Sequence, residues 1–148
     1  MKTGLALAAL AALFQSVFAL REGSYTIGSA NLADNQVLGD LGQANDPLVF
    51  SDKNNHPHQT WFFTGKGSQR DFVIQNLSGG YINCGAQPGA PCVSGDEEEV
   101  YTVEHVTDNG YELVAKKTGY FLRADGHKLQ LAEYNNMSDE EFILIPTQ

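Results

Sequence analysis

Gln59-Thr60-Trp61-Phe62-Phe63, Glu99-Val100-Tyr101-Thr102-Val103 and Glu140-Glu141-Phe142-Ile143-Leu144 are three versions of one segment. Each has an acid or amide, a spacer, an aromatic residue, and an apolar residue two further on. The aromatics stand 40 residues apart (61 to 101) and then 41 apart (101 to 142). A second motif, aromatic-x-aliphatic, opens each unit as Tyr25-x-Ile27, Phe72-x-Ile74 and Tyr111-x-Leu113. A fixed period of about 40 residues is the mark of a repeat architecture.

Working outward from these anchors, each unit divides into four short runs rich in Val, Ile, Tyr, Phe and Leu, separated by Gly, Asn, Asp and Pro. The first unit reads SYTIGSA, QVLGDL, PLVFSDK and QTWFFT; the second DFVIQNL, YINCG, APCVSG and EEVYTVEHV; the third GYELVAK, YFLRAD, KLQLAE and EEFILIPT. Helical periodicity is slight. Propeller blades share this period, but three blades are too few to close a ring. Three four-stranded units in residues 20–148 instead predict an all-β, closed, threefold barrel, with repeats over about 23–65, 69–107 and 109–148.

The N-terminal segment is of a different composition. Residues 1–19 read MKTGLALAALAALFQSVFA: one charge (Lys2), an apolar run, then Val17 and Ala19 at the small-residue positions of a cleavage site. That is the layout of a secretory signal peptide, and the apolar run falls short of the ~20 residues that span a bilayer. The expectation is an exported, extracellular protein beginning near Leu20. With Lys2 removed the net charge goes from -9 to -10, since no acid is lost. So acidic a chain repels nucleic acid and anionic membrane surfaces alike. Cys84 and Cys92 are the only cysteines, eight apart around the turn sequence GAQPGAP. In an oxidising compartment that pair reads as a disulfide. Asn76-Leu77-Ser78 and Asn136-Met137-Ser138 are N-glycosylation sequons.

The repeat pattern resembles the β-trefoil, and Gln59-Thr60-Trp61 is similar to the Q-x-W signature of ricin-B-type lectin repeats, with GSYTI and the export segment looking like the small secreted fungal type. Only the first unit carries a literal Q-x-W; the others have Glu-x-Tyr and Glu-x-Phe. The resemblance implies that Trp61, Tyr101 and Phe142 are core residues, as strand alternation also predicts. It further implies non-catalytic binding of a glycan or glycoprotein, without a cofactor. In such repeats an acid ends the second strand, an aromatic lies in the third, and an Asn precedes Q-x-W. Carried onto the first unit, this points to Asp40, Phe50, Asn55 and His58. The second unit offers Asn83 without an aromatic. The third offers Arg123 or Asp125, with Leu131 at the aromatic's place and Tyr134 close by.

Some β-trefoil families that look similar here are protease inhibitors, so a papain-like or trypsin-like protease is the alternative partner of a protein that can act as a secreted effector. Lys66 and Arg70 lie where a Kunitz-type reactive loop would be, although glycines 65 and 67 loosen it. The fungal cysteine-protease inhibitors would use loops such as 28–35 and 51–57. Enzyme chemistry is not expected. His56-x-His58 lacks a third metal ligand, no nucleophile motif is present, and the acidic runs 96–99 and 139–141 occupy equivalent strand entries.

Overall fold

The computed structural model describes residues 19–147. The expected export segment lies outside them except for Ala19. In chain order the strands are β1 (Gly23–Ser29), β2 (Gln36–Gly39), β3 (Val49–Asp52) and β4 (Trp61–Gly65) in repeat 1. Repeat 2 has β5 (Asp71–Asn76), β6 (Tyr81–Asn83), β7 (Val93–Gly95) and β8 (Val100–His105). Repeat 3 has β9 (Gly110–Ala115), β10 (Phe121–Asp125), β11 (Lys128–Ala132) and β12 (Phe142–Pro146). Single 3₁₀ turns, Pro57–Gln59 and Ser138–Glu140, lead into β4 and β12.

The first and last strands of every repeat close into a six-stranded antiparallel barrel: β1–β4–β5–β8–β9–β12 and back to β1. The middle strands form three hairpins, β2–β3, β6–β7 and β10–β11. The hairpins are tied to one another at Pro47↔Val93, Pro91↔Gln130 and Lys128↔Val49, giving a threefold cap over one end of the barrel. Closure leaves the barrel strands with no free edge.

The repeated aromatics hold barrel and cap together. Trp61, Tyr101 and Phe142 are fully buried. The Trp61 indole donates to the Leu38 carbonyl (3.0 Å), and the Tyr101 hydroxyl lies 2.9 Å from the Ile82 carbonyl. Leu38 and Ile82 are thus equivalent, and each aromatic uses its polar handle to fasten a cap hairpin. Phe142 has no such handle; its ring stacks on Phe50 at 6.4 Å. Burial, and then the Glu99 carboxylate beside it, raise the Tyr101 hydroxyl well above the ordinary phenol range. At the open end, Tyr25, Phe63 and Phe72 pack edge to face, at 5.2 and 6.0 Å. Strand alternation sets this core, with β4 alternating buried and exposed from Trp61 to Thr64.

The cysteines form a disulfide closing residues 85–91 between β6 and β7. Closing so short a loop contributes roughly 2–3 kcal/mol by constraining the unfolded chain.

Candidate functional site

Each hairpin places one residue of its outer strand opposite a fully buried apolar residue of its inner strand: Leu38↔Phe50, Ile82↔Ser94 and Leu122↔Leu131. From there to the acid or amide of the repeated segment is nine residues in repeat 1 (50 to 59), nine in repeat 3 (131 to 140) and five in repeat 2 (94 to 99). Repeats 1 and 3 therefore carry a longer loop, and both open it with Asn-Asn. The Asn54 N–H donates to Gln59 Oε1 at 2.8 Å, and the Asn135 N–H donates to Glu140 Oε1 at 2.9 Å. Asn54 and Asn135 each accept a backbone N–H two residues on. Asn55 and Asn136 are both left-handed, with φ of 63° and 56°, a conformation Asn tolerates better than most side chains.

Two clefts flank the turn at residues 77–80, beside the repeat 1 loop. The first, about 410 Å³, is lined by Ser24, Lys53, Asn55, Thr60 and Thr147, by the exposed Leu77, and by Thr26, which is buried. Phe62, 40% exposed, is the direct cross-strand partner of Ser24, so both side chains stand on the outer face of the barrel. The second cleft, about 390 Å³, lies between the hairpins of repeats 1 and 2 and includes Asp40, Asn45, Ser78, Gly80, Ser94 and Asp96.

The four residues expected to hold a sugar are not gathered in one place. Asn55 lines the first cleft. Asp40 lines the second but is 2% exposed; its carboxylate accepts from the Gly42 N–H (2.8 Å) and from Ser94 Oγ (2.5 Å), tying two hairpins together. A Cβ on Gly80 would overlap Ser94 Oγ and press on Asp40, so only glycine fits beside this pair. The outward-facing residue at the end of β2 is Gly39, over which the His58 ring lies. His58 lines neither cleft; its ring stacks on His56 at 5.2 Å, while its carbonyl accepts from the Asp40 N–H and the Asn76 side chain. Phe50 corrects the sequence reading outright. Its register partner Leu38 points into the core, so Phe50 does too, and no sugar reaches its 2% exposed ring.

Asn76 is the second correction. As a glycan acceptor it would need a free amide, but it is 2% exposed, donates to the His58 carbonyl at 2.8 Å and accepts from Ser78. In the alternative inhibitory loop, Lys66 pairs with Glu98 at 3.1 Å and Arg70 with Glu104 at 3.1 Å; both pairs are exposed, and such surface pairs hold their side chains only weakly.

Sequence reasoning missed Ser24, Thr26, Lys53, Thr60, Phe62, Leu77 and Thr147. The first cleft joins β1, the chain end and the turn after β5, and only barrel closure makes these neighbours. The one available signal was Asn55 itself, four residues before Gln59. Among the described residues no three of His, Cys, Asp and Glu converge as metal ligands would.

No protein-family model and no curated protein sequence matches this chain. Solved structures do match its fold. The Rhizoctonia solani agglutinin superposes with a TM-score of 0.77 at 17% identity, over 86% of this chain and 97% of that one. ThreeFoil, a designed 3-fold symmetric protein, gives 0.74 at 15% identity, over 84% and 99%. SeviL, solved bound to the asialo-GM1 saccharide, gives 0.68 at 18% identity, over 86% and 100%. Three four-stranded repeats, a closed barrel and a hairpin cap make this chain a β-trefoil.

Proposed function

We propose that the protein is an exported, non-catalytic, lectin-like module that binds a glycan in the first cleft. One observation carries the reading: Ser24, Lys53, Asn55, Thr60 and Thr147 line a single pocket together with the exposed apolar side chain of Leu77. Donors and acceptors of that kind match sugar hydroxyls, and Leu77, with Phe62 alongside, offers an apolar face to the ring's C–H side. The fold-level likeness to an agglutinin and to a saccharide-bound protein supports the ligand class by analogy. The N-terminal sequence and the disulfide support export.

The test is a glycan array of residues 20–148 with three variants printed beside the wild type. Asn55→Gly keeps the left-handed turn and deletes the amide; Phe62→Ala deletes the ring. Each is expected to weaken binding about tenfold, the loss of one directed contact. Asp96→Ala, in the second cleft, is expected to bind as the wild type does. A blank array, or loss confined to Asp96→Ala, overturns the assignment.

A further inference from the structure

The two sequons are chemically alike and structurally opposite. Asn76 is buried and its amide nitrogen is committed to the His58 carbonyl. A sugar on that nitrogen would leave it a single N–H and, at a side chain 2% exposed, have no room, so a chain glycosylated there does not reach this fold. Asn136 sits in the repeat 3 loop, exposed and in the left-handed conformation. Its Oδ1 accepts from the Tyr134 hydroxyl at 2.8 Å. Among the described residues nothing accepts from its Nδ2. The acceptor serine of the triplet, Ser138, is exposed as well.

Tyr134 adds a seat. It is 53% exposed and packs at a tilt against Phe121, ring centroids 4.7 Å apart, so the ring is braced on one side while half of it meets solvent. Met137, 63% exposed, flanks the same asparagine. A flat, supported aromatic two residues before the acceptor is the surface on which the apolar face of a pyranose packs.

We propose that the protein carries an N-linked glycan at Asn136, its first N-acetylhexosamine resting on Tyr134, and none at Asn76. The donor is a lipid-diphosphate-linked oligosaccharide of the secretory pathway. The anomeric C–O bond to the diphosphate breaks as the C–N bond to Asn136 Nδ2 forms; the lipid diphosphate leaves and the amide gives up one proton. The inference rests on the export reading and not on the glycan-binding cleft, so either can fail without the other. It also separates the two Asn-Asn loops: Asn55-His56-Pro57 is no sequon, so the repeat 1 loop stays free for ligand while the repeat 3 loop is covered.

The test is secretion of the full chain from a eukaryotic host that performs N-glycosylation. Intact mass is read before and after an amidase that releases N-glycans and leaves aspartate, and peptide mapping locates the aspartate. One glycan, aspartate at 136 and asparagine retained at 76, is expected. Ser138→Ala, which leaves Asn136 in place, loses the whole mass increment. An unmodified secreted chain, or aspartate at 76, overturns the site. The seat is tested by thermal midpoints. The wild type is expected to melt above Ser138→Ala, and that gap to close when both carry Tyr134→Ser; an undiminished gap overturns the role of Tyr134.

Discussion

The loop of residues 53–59 in repeat 1 and the loop of residues 134–140 in repeat 3 share one backbone, down to the left-handed second asparagine and the side chain that caps the first. Their chemistry differs. In repeat 1 the buried capping group is neutral: Gln59 accepts from the Asn54 N–H and donates to the Asp52 carbonyl at 2.9 Å. In repeat 3 it is Glu140, fully buried, with Arg123 donating to it through Nε and Nη2 at 3.1 and 3.0 Å. The contrast extends to the barrel wall, where Thr26 follows Tyr25 in repeat 1 and Glu112 follows Tyr111 in repeat 3. One loop overlooks a cleft of hydroxyls, and the other is locked by an ion pair beside a crowd of acids. A pseudosymmetric scaffold can therefore hold its shape with either a neutral or a charged anchor, and the choice decides which surface remains available to a ligand.

The largest expected break in this comparison is Arg123→Ala. It leaves the Glu140 carboxylate buried without its cation, which costs about 3–5 kcal/mol. Urea unfolding is the measurement. The double variant Arg123→Ala/Glu140→Gln is expected to regain most of the loss, since it restores the neutral anchor of repeat 1; no recovery would mean that the Arg123 stem matters through packing. Gln59→Ala comes next. It strands the Asn54 N–H and the Asp52 carbonyl beneath the loop, a loss of about 1–3 kcal/mol in the same assay.

Two carboxylates outside the loops are expected to respond to pH in opposite directions. Lys116, hydrogen-bonded to the buried Asp71 across from Thr102 (2.8 Å), holds the Asp71 carboxyl below its ordinary range. A lowered folded-state pKa stabilises the protein above the unfolded value and is lost as pH falls through the folded one. Wild-type stability is thus expected to drop below about pH 4 more steeply than that of Asp71→Asn. Glu112 is pushed up, first by burial and then by Glu140, Glu104 and Glu141. Its ionised form costs stability at neutral pH, a cost relieved as pH falls through the raised value. Glu112→Gln is expected to unfold at higher urea than wild type at neutral pH, with the advantage gone in acid. The smallest effect belongs to the turn itself. Asn55→Ala is expected to cost about 1 kcal/mol for its positive φ, whereas Asn55→Gly is expected to be near neutral in stability.

Twelve strands, their grouping in fours and the buried aromatic triplet were legible in the sequence, because alternation along a strand and a 40-residue period are local or strictly repeated signals. The Asn54-Asn55 and Asn135-Asn136 echo was there too, but the shortened loop of repeat 2 breaks the period and hides it. The face of Phe50 was not legible. A third-strand aromatic points to solvent or core according to the residue opposite it, and that partner, Leu38, is set by the hairpin register. Asp40 misled for a similar reason. Its partner Ser94 lies 54 residues away, and Gly80 makes room for the pair.

By itself, the sequence of this protein determined the fold and the anchors that close it, since burying periodic apolar side chains admits few arrangements of so short a repeat. Only the tertiary structure decided which polar groups share a cleft and which sequon lies open. The cleft depends on approach between Ser24, Asn55, Leu77 and Thr147, which meet only once the barrel has closed, and the burial of Asn76 depends on its contact with the His58 carbonyl 18 residues away.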